Sequence, residues 1–105
     1  MNTQYKKGVL ELCVLSLLKK RDGYGYEISE FLAGHIDIAD GTVYPILRKL
    51  KADGMLTTYL QEESGGPPRK YYTLTRLGRE TYEADRAEYL TFSAAIRNLL
   101  EEDKA

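Results

Sequence analysis

Between Thr42 and Ala52 the chain carries three basic side chains, Arg48, Lys49 and Lys51, and no carboxylate. Guanidinium and ammonium groups gathered without counter-charge bind anions, phosphate above all, through charge-assisted hydrogen bonds. Thr42 and Tyr44 add hydroxyls at one end of the same stretch, DGTVYPILRKLKADG at residues 40–54. A hydroxyl both donates and accepts, so it can address a phosphate oxygen or the edge of a base. Arg69 and Lys70 form a second basic pair, directly after the run SGGPP.

Other chemistry finds less support. His35 is the only histidine and Cys13 the only cysteine, so no cluster of His and Cys ligands exists to anchor a metal. Asp37 and Asp40 read as loop and cap residues, and Ser29, Ser64 and Ser93 have no base placed to activate them. Gly23-x-Gly25 lacks a third glycine and a preceding strand, which a dinucleotide fingerprint requires. No catalytic residue, cofactor or metal is expected.

The elements that must position the basic residues follow from periodicity. Val43, Ile46, Leu47 and Leu50 recur at three and four residues, one buried stripe of a helix. Pro45 falls inside that stripe, where proline removes a backbone hydrogen bond and crowds the carbonyl four residues back. The conflict disappears if the helix begins at Asp40, Gly41 or Thr42. Pro45 then lies in or beside the first turn, where N–H groups have no intrahelical acceptor to lose. Thr42, Tyr44 and Pro45 become the leading end of the helix.

Upstream, about Tyr5 to Lys20 reads as a helix apolar nearly all round, which needs cover on more than one face. KRDGYGYE reads as a turn, and a second helix runs from about Tyr26 to Leu32, with Gly34 expected to close it in the left-handed conformation. HIDIAD is a connector with its isoleucines inward. MLTTYLQEE and RKYYTLT alternate with period two and read as a hairpin with a loop of about five residues. Tyr71 and Tyr72 must then face opposite sides of their strand. Thr75 is a suitable N-cap for a last helix, about Arg76 to Glu102. Along it Tyr82, Tyr89 and Ile96 are seven apart, with Phe92 and Leu99 between them.

At 105 residues, one small domain is expected, burying about two-thirds of its unfolded surface. The fold class is mainly α with a small β-hairpin. It reads as a winged helix-turn-helix over residues 1–75, then a C-terminal dimerisation helix over 76–105. In that arrangement the third helix enters the major groove of double-stranded DNA and the hairpin lies along the neighbouring backbone. The net charge of −1 hides an asymmetry: residues 80–105 hold seven Asp/Glu against three Lys/Arg, away from the basic stretch. No apolar run is long enough to cross a bilayer, and one unpaired cysteine suits a reducing compartment, so a cytoplasmic location is expected.

GTVYPILRKLKADGML followed by PPRKYYTLTRLG resembles the PadR-like transcriptional regulators, which carry a GT-x-Y-P-x-L-x-x-L-x-x-x-G core and an R-K-Y-Y-x-L-T strand. The likeness runs from about Tyr5 to Leu100 and fits the short subfamily, without a further C-terminal helical domain. It implies a homodimeric repressor whose last helix packs on the partner's first helix. The DNA-contact set is then Thr42, Tyr44, Pro45, Arg48, Lys49, Lys51, Arg69 and Lys70. The dimer set is Val9, Leu10, Cys13, Leu17, Tyr82, Tyr89, Phe92, Ile96 and Leu99. In some short members a pore at the dimer interface, with a tryptophan in the last helix, binds aromatic drugs. This sequence has no tryptophan, and Tyr89 stands at that place, with Phe92 beside it as the second ligand candidate. The competing readings are a protein-interaction module or a small-molecule carrier on the same scaffold, neither binding an operator.

Overall fold

The computed structural model describes the backbone of residues 3–63 and 65–102, and side chains within that range from residue 8 onward. The elements run α1 (Thr3–Lys20), β1 (Gly23–Tyr24), α2 (Gly25–Ala33), α3 (Val43–Ala52), β2 (Leu56–Gln61), β3 (Arg69–Leu74) and α4 (Arg76–Glu102). Three helices and a small sheet enclose one core, and α4 extends the molecule to 58 Å along its longest axis. This is a winged helix-turn-helix with a long C-terminal helix.

Helix α1 is the centre of the packing. Val14, Leu15, Leu17 and Leu18 are buried against α2, α3, β3 and the first turns of α4. Cover on several faces therefore comes largely from within the chain itself. Ile28 and Leu32 of α2 meet Val43, Ile46, Leu47 and Leu50 of α3 in the same cluster, and Ile36 and Ile38 of the connector pack on it.

The sheet corrects one expectation. The segment read as a plain turn contains a two-residue strand, and the order is β1-β3-β2, all antiparallel. Gly23 pairs with Tyr72 and Tyr24 with Tyr71. Two residues show no alternation by themselves; they become a strand because β3 offers a free edge. The inner face carries Leu56, Tyr72 and Leu74, which are buried. The outer face carries a row of tyrosines across all three strands, Tyr24 edge-on to Tyr71 at 5.5 Å and Tyr71 stacked on Tyr59 at 5.7 Å.

A second correction concerns Gly34, whose φ of −72° is right-handed. The helix end is satisfied without a left-handed residue: the His35 N–H bonds Leu32 O at 3.0 Å, and the His35 ring donates from Nδ1 to Phe31 O at 3.0 Å. The left-handed cap occurs at the end of α3 instead. Gly54 has φ +79°. Its N–H bonds Lys51 O while Met55 N–H reaches Leu50 O, the paired bonds of a Schellman turn.

Thr75 caps α4 as its residue type suggests: Gly78 N–H donates to its Oγ1 at 3.0 Å, and Oγ1 donates to Gly54 O at 2.6 Å. This ties α4 to the corner between α3 and β2. Lys19 at the end of α1 pairs with Glu83, about two turns along α4. Beyond Tyr89 most of α4 is exposed among the described residues.

Two phenols anchor the hairpin. Tyr59 donates to Asp22 and Tyr71 to Glu63, each at 2.7 Å. The bond to Glu63 holds the Tyr71 proton and pushes its pKa from 10 up to about 12. A phenol pKa raised by folding contributes its stability fully below pH 10, and loses it as pH rises through about 12. An ultraviolet titration should resolve one tyrosine ionising near 12, and Glu63→Gln should move it down toward 10. A profile unchanged by Glu63→Gln would show that the bond does not hold the wing.

Candidate nucleic-acid interface

Helix α3 starts with Thr42 as its N-cap, preceded by Gly41 at φ +84°. Pro45 is therefore the third residue of the helix proper, inside the first turn, and its missing N–H costs no intrahelical bond. The Thr42 hydroxyl makes no capping bond to the helix. With Val43, Ile46, Leu47 and Leu50 buried, the helix turns Tyr44, Pro45, Arg48, Lys49 and Lys51 outward.

These five do not form one patch. Tyr44, Arg48 and Lys51 follow at four and three residues and share a stripe. Tyr44 and Arg48 line an open cleft of about 390 Å³ with Arg69 and Lys70 from β3, and with Tyr24, Gly25, Tyr26 and Tyr72. Three cations and four tyrosine rings converge there, and no carboxylate lines it. Arg48, Lys51, Arg69 and Lys70 make no ion pair with the described residues. The Arg69 guanidinium lies over the Tyr24 ring, 4.5 Å from its centre, and the Lys70 ammonium is 5.9 Å from that of Tyr72.

Lys49 lies on the other flank. Its ammonium is 3.1 Å from Asp53 Oδ2 and 3.3 Å from Glu11 Oε1 on α1. The hydrogen bonds to Asp53 and Glu11 raise its pKa above the usual lysine value. The structure separates Lys49 from the other basic residues of the expected contact set, because helical geometry turns it about 100° from Arg48, toward Asp53 at the end of α3 and Glu11 of α1. Conversely Tyr24, Gly25 and Tyr26, not among the sequence candidates, line the cleft. Their signal in the sequence was the tyrosine-glycine alternation itself, which looked like a turn.

The set assigned to self-association also divides. Leu10, Leu17 and Tyr82 are buried in the chain's own core. The apolar periodicity that selected them does not distinguish an internal face from an external one. Val9, Cys13 and Tyr89 are half-buried. Phe92 and Leu99 are 56% and 60% exposed, in one band of α4 with Ile96 and Leu100. Burial raises the Cys13 thiol pKa, as suits a small apolar residue. Tyr89 and Phe92 line a groove of about 310 Å³ between α1, the end of α3 and α4.

Residues 14–84 match the model of the Transcriptional regulator PadR-like family. The chain belongs to this family. A PadR-like transcriptional regulator from Bacillus cereus has the same architecture, with a TM-score of 0.84 and 35% identity, over 93% of this chain and 97% of that one. Transcriptional regulator Rv3488 of Mycobacterium tuberculosis is 29% identical over 84 residues, 79% of this chain and 78% of the relative. Transcriptional regulator YqjI of Escherichia coli is 32% identical over 85 residues, 77% of this chain but 39% of the longer relative. PadR-family members are transcriptional regulators and not enzymes. Among the described residues of this PadR-family chain, no group of His, Cys, Asp or Glu is placed to hold a metal, and no helix is long and apolar enough to cross a membrane.

Proposed function

We propose that this PadR-family regulator is a homodimeric repressor that binds a palindromic operator through the cleft between α3 and β3. The observation that carries the reading is the convergence of Arg48, Arg69 and Lys70 on a cleft lined by no carboxylate. Three cations held together repel one another, and the phosphates of a duplex relieve that repulsion while releasing counterions. Thr42, Tyr44 and Pro45 lead the helix into the major groove, and Arg48 reaches a guanine edge or a phosphate. Lys51 adds charge further along the stripe.

Helix α4 supplies the dimerisation surface. Phe92, Ile96, Leu99 and Leu100 form an exposed apolar band on α4, and a second copy of the chain covers it, with Val9, Cys13 and Tyr89 at the edge. The dimer sets two α3 helices roughly 34 Å apart, one turn of DNA, and occupation of the promoter blocks polymerase. An aromatic ligand in the groove at Tyr89 and Phe92 changes the angle between the two α4 helices and so the spacing. That groove favours one second reading, a small-molecule carrier without operator binding.

Selection of bound duplexes from a random pool tests the proposal. An inverted repeat with half-sites one turn apart is expected, bound less tightly as salt rises. Absence of enrichment, with an aromatic ligand bound tightly, would favour the carrier. Ile96→Glu should weaken the dimer by about 10- to 100-fold, the loss of one buried apolar side chain of roughly 1.5–3 kcal/mol. Sedimentation at micromolar concentration reads this directly, and an unaltered dimer would place the interface elsewhere.

A further inference from the structure

We infer that the Tyr24–Gly25 junction between β1 and α2 positions the DNA-contact residues: Gly25 seats the Tyr44 ring and Tyr24 aligns the Arg69 guanidinium. The inference rests on the DNA-binding reading above and assigns the junction a role in it. Gly25 is the first residue of α2, and its φ is not among the positive values, which belong to Gly41, Gly54 and Gly65. Any residue could adopt that backbone, and alanine would favour the helix more than glycine does. What glycine supplies is space. A Cβ at Gly25 would lie 2.8 Å from Tyr44 Cε1, closer than carbon atoms pack, and 3.4 Å from Cδ1. Those are ring atoms of an exposed side chain, so the ring would swing away and the backbone would stay.

Tyr44 is one turn before Arg48 on the stripe facing the cleft, and it is 38% exposed even with its ring on Gly25. The ring is thus fixed on one side and open on the other, as a side chain that meets a partner in one orientation must be. Tyr24 acts in parallel. Its ring is held edge-on by Tyr71 and carries the Arg69 guanidinium at 4.5 Å. Stacking of this kind limits the conformers of a long cation while leaving its donors free. The Arg69 contact depends on β1 pairing with β3, which sets Tyr24 opposite Tyr71, and the Tyr44 contact on the packing of α2 against α3.

A double-mutant cycle on a duplex selected by the wild-type protein tests the seat. Gly25→Ala should lower affinity about tenfold, the scale of one misplaced base or phosphate contact. Tyr44→Ala should lower it similarly, and the double variant should bind no more weakly than Tyr44→Ala alone, because the seat has nothing left to hold. The melting temperature of Gly25→Ala should equal or exceed that of the wild type. Losses that multiply to about a hundredfold in the double variant, wild-type affinity in Gly25→Ala, or a lowered melting temperature would each overturn the seat. For Tyr24, the leucine variant should flatten the salt dependence of binding and the phenylalanine variant should restore it, since the ring and not the hydroxyl carries Arg69. Equal loss in both would overturn that half. Failure of the wild-type protein to bind any duplex would instead sink the DNA-binding reading, and this inference with it.

Discussion

Gly78→Ala should destabilise the protein by about 3 kcal/mol, although helix propensity alone would make it up to about 1 kcal/mol more stable. Gly78 is buried at the third position of α4, where its N–H donates to the Thr75 cap. A Cβ there would lie 2.1 Å from Met55 O, 3.0 Å from Met55 C and 3.1 Å from Leu74 Cδ2. Two of these atoms belong to backbone. The same Met55 carbonyl accepts the Thr75 N–H at 3.1 Å. Relief of the clash must therefore pull α4 off the corner and stretch the bonds that start the helix, unlike the clash at Gly25, which a ring can evade. Thermal unfolding at fixed protein concentration should show a fall of roughly 10–15 °C. An unchanged or higher melting temperature would mean that the start of α4 is free to move.

The second large effect is on DNA affinity. Replacing Arg48, Arg69 and Lys70 together by alanine should weaken operator binding by at least about 10³-fold. The log–log salt slope should flatten by roughly 0.9 for each phosphate contact removed. Lys49→Ala should change affinity by less than about threefold. Its two carboxylate partners already satisfy the ammonium, and a half-exposed pair of this kind contributes about 0–1 kcal/mol. The contrast is sharp because Arg48 and Lys49 are adjacent in sequence and alike in charge. Equal losses from Arg48→Ala and Lys49→Ala would mean that α3 meets the duplex with its opposite flank. Melting curves of the triple variant should match the wild type, since none of the three side chains is buried.

The angle at which α4 leaves the core links the two results. Gly78, the Thr75 cap and the Lys19–Glu83 pair set it within one protomer. In the proposed dimer it also sets the distance between the two α3 helices. A substitution near the start of α4 can thus reduce operator affinity from a site that touches no DNA.

Much of the architecture was legible because it is local. The stripe of Val43, Ile46, Leu47 and Leu50, the tolerance of Pro45 in a first turn, the alternation of the two hairpin strands and the cap at Thr75 each depend on residues a few positions apart. The chain's own covalent spacing decides them. What only the tertiary structure decided depends on residues far apart in sequence. Strand β1 exists because residues 71 and 72 offer it an edge, and Lys49 is engaged where Arg48 is not because packing sets Glu11 of α1 beside it. Leu10, Leu17 and Tyr82 lie inside because the chain supplies their cover. Gly25 and Gly78 are glycines because a ring and a carbonyl occupy the space of a side chain. Periodicity tells which face of an element is apolar, but the contacts that satisfy that face, and the room they leave, are set only when the elements pack.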